Sequence, residues 1–175
     1  MTGKANSARS NIVDAFTRLV LARREPRPPV ADVLKEAGVA RSTFYEHFDG
    51  RDAVLIESFR APLGYIADAA ASDGRDKGVE ENLIRILDHL RDYRRGAVDM
   101  LTGPMAPRIA RALADLVAAR LPGATQKSSA HLADMQLGFI RLWLTGETPY
   151  AAADLARLMI RSAAAQRAVM AGDAP

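Results

Sequence analysis

No stretch of this sequence alternates apolar and polar residues, and proline and glycine cut it into helix-sized pieces. That punctuation excludes a sheet and predicts an all-α chain. In the first piece, about Ser7 to Arg24, Ile12, Ala15, Phe16, Leu19 and Val20 recur at i, i+3, i+4, i+7 and i+8, one face of a helix. The run Glu25-Pro26-Arg27-Pro28-Pro29 ends it, because proline lacks the N–H and its ring clashes with the preceding turn. Pro29 opens a short helix with Val30, Val33, Leu34 and Ala37 inward, and Gly38 closes it. A third helix starts near Arg41 with Phe44 and Phe48 inward. Asp49-Gly50 ends it, and Asp49 is placed to cap the next. The fourth, from Arg51, turns Val54, Leu55, Ser58 and Phe59 inward, and Pro62 predicts a kink or break in its continuation.

Further helices are expected over about Val79–Arg94, Ala97–Thr102, Pro104–Leu121, Ser129–Leu144 and Pro149–Met170, with Gln126-Lys127-Ser128 as loop. The link Thr145–Thr148 is short enough to make the last two an antiparallel pair. The domain junction is expected around 60–70, giving domains over 1–60 and 61–175.

Composition narrows the function. The chain has 175 residues and no cysteine, which excludes disulfides, thiolate metal sites and a cysteine nucleophile. No window is apolar enough to span a membrane, and Met1 to Asn11 lacks the apolar core of a secretory signal. A cytoplasmic protein without a membrane partner is the expectation. Net charge is only +3, so contact with nucleic acid must come from a few placed groups on one face. His47, His89 and His131 lack metal-ligand spacing, and no Gly-x-Ser-x-Gly, phosphate-cradling loop or dinucleotide fingerprint occurs. No catalytic residue, metal or cofactor is therefore expected, and the chain does not read as an enzyme.

The informative stretch is Val30 to Asp52, a short helix, a glycine turn and a second short helix: a helix-turn-helix. Val39 plugs its corner. Opposite Phe44 and Phe48, the second helix offers Arg41, Ser42, Thr43, Tyr45 and His47. The N-terminal residues of a recognition helix enter the major groove, which makes Arg41, Ser42 and Thr43 the base readers. Arginine forks onto guanine O6 and N7, and threonine offers a hydroxyl or touches a thymine methyl. Tyr45 and His47 lie farther along and suit phosphates, and Arg51 opens the next helix with a charge for another. Glu46 is expected to point outward or to pair with a nearby basic group, with cytosine N4 as the alternative partner.

The order Ala37-Gly38-Val39, Arg41, Ser42, Thr43, Phe44, Tyr45, His47 and Phe48, followed by Arg51, Asp52, Ala53 and Leu55, resembles the tetracycline-repressor (TetR) type of bacterial transcriptional regulator. The likeness covers about residues 9–60. It extends more weakly to Gly138, Trp143, Leu144, Thr148-Pro149 and 153–158. It implies an N-terminal three-helix bundle with a helix-turn-helix, followed by a helical ligand-binding and dimerisation domain. It also implies a homodimer on a near-palindromic double-stranded operator, and repression relieved by a small-molecule effector of unknown identity. Pro29 departs from the family, which usually has Thr or Ser there for a phosphate contact. Arg27 is the nearby candidate to replace it.

Two further sets are weighed. A ligand pocket is expected from Ile86, His89 and Tyr93 on one helix stripe, with Met100, Met105, Met135 and Phe139, methionine suiting adaptable cavities. A subunit interface is expected from Leu132, Gln136, Ile140 and Trp143 with Leu155, Met159 and Ala163. The rival reading is a helical ligand-binding or protein-interaction module whose helix-turn-helix is vestigial.

Overall fold

The computed structural model describes residues 2–23 and 27–172. Among these residues every regular element is an α-helix, in two compact units, Met1–Arg60 and Ala61–Pro175. The stretch expected to break the chain after the first helix falls partly on residues 24–26, outside the described residues.

The first unit contains α1 (Thr2–Arg23), α2 (Val30–Ala37), α3 (Arg41–His47) and α4 (Arg51–Ser58). α1 begins earlier than the expected Ser7. It packs on α2, α3 and α4, burying Ile12, Ala15, Phe16 and Leu19 against Val33, Phe44, Phe48, Val54 and Leu55. Arg9 of α1 reaches Glu57 of α4 at 2.6 Å, and its guanidinium lies 5.1 Å from the centre of the Phe48 ring. Hydrogen bonding from Arg9 is the main cause that holds the Glu57 carboxyl below its ordinary value. The sign follows. A carboxyl depressed in the folded state adds stability above its unfolded pKa of about 4.3, and that stability is lost as pH falls through the lowered folded value. Acid titration of the urea midpoint should therefore fall less steeply below about pH 4.3 in Arg9→Met than in the parent. A half-exposed pair of this kind contributes about 0.2–1 kcal/mol.

Asp49 does not cap α4. Gly50 is the N-cap, at φ 149°, with no side-chain cap hydrogen bond, so Asp49 lies one residue too far out. The break expected at Pro62 lies upstream, at Phe59, between α4 and α5 (Arg60–Ala71). Proline in a helix clashes with the carbonyl four residues back, here Ser58. Ending α4 at Ser58 leaves Pro62 in the first turn of α5, where no N–H is needed.

The second unit continues with α6 (Lys77–Asp92), α7 (Arg94–Thr102), α8 (Ala106–Arg120), α9 (Gln126–Thr145) and α10 (Ala152–Gly172). α9 is its centre, packed on α6, α7, α8 and α10. Residues 126–128 are helical rather than loop, because Thr125 is the cap and its hydroxyl accepts the Ser128 N–H at 3.1 Å. Asp76 likewise starts α6 before the expected Val79, accepting from the Gly78 N–H at 2.8 Å. α9 ends in a Schellman motif at Gly146 (φ 86°), with Glu147 N–H bonding Leu142 O at 2.9 Å and Gly146 N–H bonding Trp143 O at 3.1 Å. Trp143 Nε1 donates to Tyr150 O at 2.8 Å. That bond ties down the linker, and α10 starts at Ala152, after the expected Pro149.

Long cations finish other helix ends. Arg94 donates to Leu144 O at the end of α9. Arg167 donates to Ala70 O and Ser72 O at the end of α5, and burial pushes its guanidinium below its ordinary value. Arg120 of α8 pairs with Asp68 of α5. Among the described residues no helix is long and apolar enough to cross a membrane.

Candidate nucleic-acid interface

The turn that sets α2 against α3 depends on one glycine. Gly38 sits in the left-handed region at φ 65°, ψ 32°, and its N–H closes α2 on Leu34 O. A side chain with a Cβ is disfavoured there. Val39 N–H adds a second bond to Leu34 O at 3.2 Å. Val39 is half-buried at the corner, and Ala40 is the extended N-cap of α3 with no side-chain cap bond.

Two rings fix the rotation of α3. Phe44 is 1% exposed and Phe48 4% exposed, and their ring centres lie 6.0 Å apart. With that face inward, Arg41, Ser42, Tyr45 and Glu46 are exposed, and Thr43 and His47 are half-buried. Arg51, the first residue of α4, is also exposed. The candidate DNA residues therefore lie together in the first unit, Arg41, Ser42, Thr43, Tyr45 and His47 on α3 and Arg51 at the head of the next helix.

Pro29 is the N-cap of α2 and supplies no side-chain cap bond. Arg27, two residues before it, places its Nε 3.9 Å from Asp52 in the first turn of α4. Arg27 thus pairs with the residue that follows Arg51 in the chain.

The spacing of Arg41 and Tyr45 carries a contact that reading them separately missed. The Arg41 guanidinium lies over the Tyr45 ring, 5.6 Å from its centre, and the i, i+4 interval was the available signal.

The other two residue sets separate differently from expectation. All of the residues expected at a subunit interface are buried inside the single chain: Leu132, Gln136, Ile140, Trp143, Leu155, Met159 and Ala163. Periodicity marks an apolar face but not what covers it, and here the neighbouring helices of the same unit cover it. Gln136 Nε2 donates to Met159 O at 3.2 Å, which ties α9 to α10 from within. Its Oε1, and the Ser129 hydroxyl, are buried with no hydrogen-bond partner among the described residues.

The expected pocket lining is dispersed. Met105 belongs to the core, and Ile86, Met100, Met135 and Phe139 are half-buried. His89 and Tyr93 do not face inward: both are exposed, Tyr93 at 55%, and they pack on each other with ring centres 4.7 Å apart. The inward stripe of α6 is Leu83 and Leu87, and His89 and Tyr93 fall on its solvent side.

No protein-family model matches this chain, and no curated protein matches it. Among solved structures it is similar to a TetR transcriptional regulator from Streptococcus agalactiae 2603V, at 22% identity and a TM-score of 0.47, over 91% of this chain and 95% of that one. It is similar to a tetR-family transcriptional regulator from Streptomyces coelicolor, at 16% identity and a TM-score of 0.49, over 95% of this chain and 83% of that one. It is also similar to the fatty acid degradation regulator FadR from Bacillus halodurans, at 16% identity and a TM-score of 0.44, over 89% of this chain and 94% of that one.

Proposed function

We propose that this chain is a dimeric, sequence-specific DNA-binding transcriptional regulator, a repressor released by a small molecule. The observation that carries the reading is the two-sidedness of α3. Phe44 and Phe48 lock one side into the core, and the other side presents Arg41, Ser42, Thr43, Tyr45 and His47 after a tight glycine turn. A helix held in this way enters a major groove with Arg41, Ser42 and Thr43 toward base edges. Tyr45 and His47 lie toward the flanking phosphates, and Arg51 supplies a further charge. The motif resemblance supports the same reading.

A dimer must use faces that the single chain leaves open. Flanking the buried face, α9 carries exposed His131 with half-buried Met135, Gly138 and Leu142, and α10 carries half-buried Leu158 and Ser162 with exposed Ala165 and Val169. Each runs at i, i+4, i+7 and i+11, so each forms one continuous strip beside the buried face. Two copies would read half-sites about 34–36 Å apart or a multiple of that. An effector releases DNA only by binding the DNA-incompetent conformation better than the competent one.

Selection from a random duplex pool tests the reading. The expected result is an inverted repeat whose affinity falls steeply with salt. Arg41→Ala should then cost about 1–3 kcal/mol, roughly 5–150-fold, and relax specificity at one position of each half-site. No enrichment over non-specific binding would favour the interaction module with a vestigial helix-turn-helix.

A further inference from the structure

An exposed arginine side chain samples many rotamers, and each must be given up when its guanidinium docks on a base edge. Arg41 is exposed, yet its guanidinium is already placed, over the face of the Tyr45 ring at 5.6 Å from the centre. The ring is itself held. Phe44 meets it edge-on, with centres 5.3 Å apart and planes at 79°, and Phe44 is in turn fixed in the core at 1% exposure. A line of contacts therefore runs from the core ring through Tyr45 to the charge at the tip of Arg41.

We propose that Tyr45 is a positioning residue for Arg41, its ring serving as a platform that presents the guanidinium to a guanine edge. This rests on α3 being the recognition helix. It assigns to the Tyr45 ring a sequence-dependent contribution, distinct from that of its hydroxyl at a phosphate. A hydroxyl bonded to phosphate strengthens binding to every sequence alike, since phosphates carry no sequence information. A platform acts only through Arg41, and so only where Arg41 has its guanine. Its size is that of an exposed cation–π contact, about 2–5-fold in affinity.

The experiment uses the full chain and the duplex enriched from the random pool, with a second duplex in which the Arg41-dependent guanine pair is exchanged for A·T. Tyr45→Ala should weaken binding to the first by about 2–5-fold more than it weakens binding to the second. Tyr45→Phe should rescue most of that difference. In an Arg41→Ala background Tyr45→Ala should show no difference between the two duplexes, because the two changes remove one interaction. Before any DNA is added, the Arg41 δ-methylene protons should show a ring-current shift in the parent and in Tyr45→Phe, and none in Tyr45→Ala.

Equal losses for Tyr45→Phe and Tyr45→Ala, or an undiminished Tyr45→Ala loss in the Arg41→Ala background, would overturn the platform while leaving the DNA reader intact. A parent chain that binds no duplex sequence-specifically would overturn both. Tyr45 is 47% exposed, so its variants keep the fold, and an unchanged helical circular dichroism spectrum checks this.

Discussion

Phe44→Ala is expected to unfold the first unit and abolish duplex binding together. Phe44 is among the largest fully buried side chains, and its ring meets both Phe48 and Tyr45. Truncating a buried phenylalanine costs about 3–5 kcal/mol. A unit of some 60 residues buries only about 60% of its unfolded surface and holds roughly 3–9 kcal/mol in all. One truncation therefore removes much or all of its stability. The single tryptophan, Trp143, lies in the other unit, so two signals separate the two units. Helical circular dichroism should drop for Phe44→Ala before any urea is added, while the Trp143 fluorescence transition keeps the parent midpoint. An unchanged starting signal would remove Phe44 from the core. The neighbouring Tyr45→Ala supplies the contrast: its ring is half in solvent, so it should change binding with little change in stability. Adjacent residues of one short helix should thus have separable effects, because Phe44 faces the core and Tyr45 does not.

The first unit is more legible in the sequence than the rest. Its logic is local: Gly38 must take a positive φ, and Phe44 and Phe48 must share a face at i, i+4. Those constraints act within a few residues, so the turn and the outward set follow from spacing alone. The caps at Thr125 and Asp76 are equally local, but a capping side chain stands outside the apolar periodicity that marks the helix it starts. The break at Phe59 shows how a proline acts on the residue four before it. What periodicity does not carry is the identity of the covering partner. Leu132, Ile140, Leu155 and Met159 look the same in a sequence whether a neighbouring helix or a second subunit lies over them. Likewise His89 and Tyr93 share a stripe, but only the placement of Leu83 and Leu87 decides that this stripe faces solvent.

That difference sets up a second large effect, at adjacent positions of α10. Met159 is fully buried, and its side chain is covered within the chain itself. Met159→Ala should cost about 2–5 kcal/mol. Because the loss belongs to the folded chain, the accompanying drop in the Trp143 unfolding midpoint should be the same at low and high protein concentration. Leu158, one residue earlier, is half-buried on the strip that includes Ala165 and Val169. Leu158→Glu leaves the core untouched but sets like charges against each other where two copies would meet. It should lower the sedimentation mass toward that of one chain while preserving the helical spectrum. A folded state that binding stabilises has a midpoint that rises with concentration. The parent should therefore show that dependence, and Leu158→Glu should lose it. If Met159→Ala abolished the concentration dependence and Leu158→Glu did not, the inner face would be the subunit contact. The burial of Leu155, Met159 and Ala163 in a single chain argues for the first outcome: a surface already filled by its own helices has no area left to give a partner.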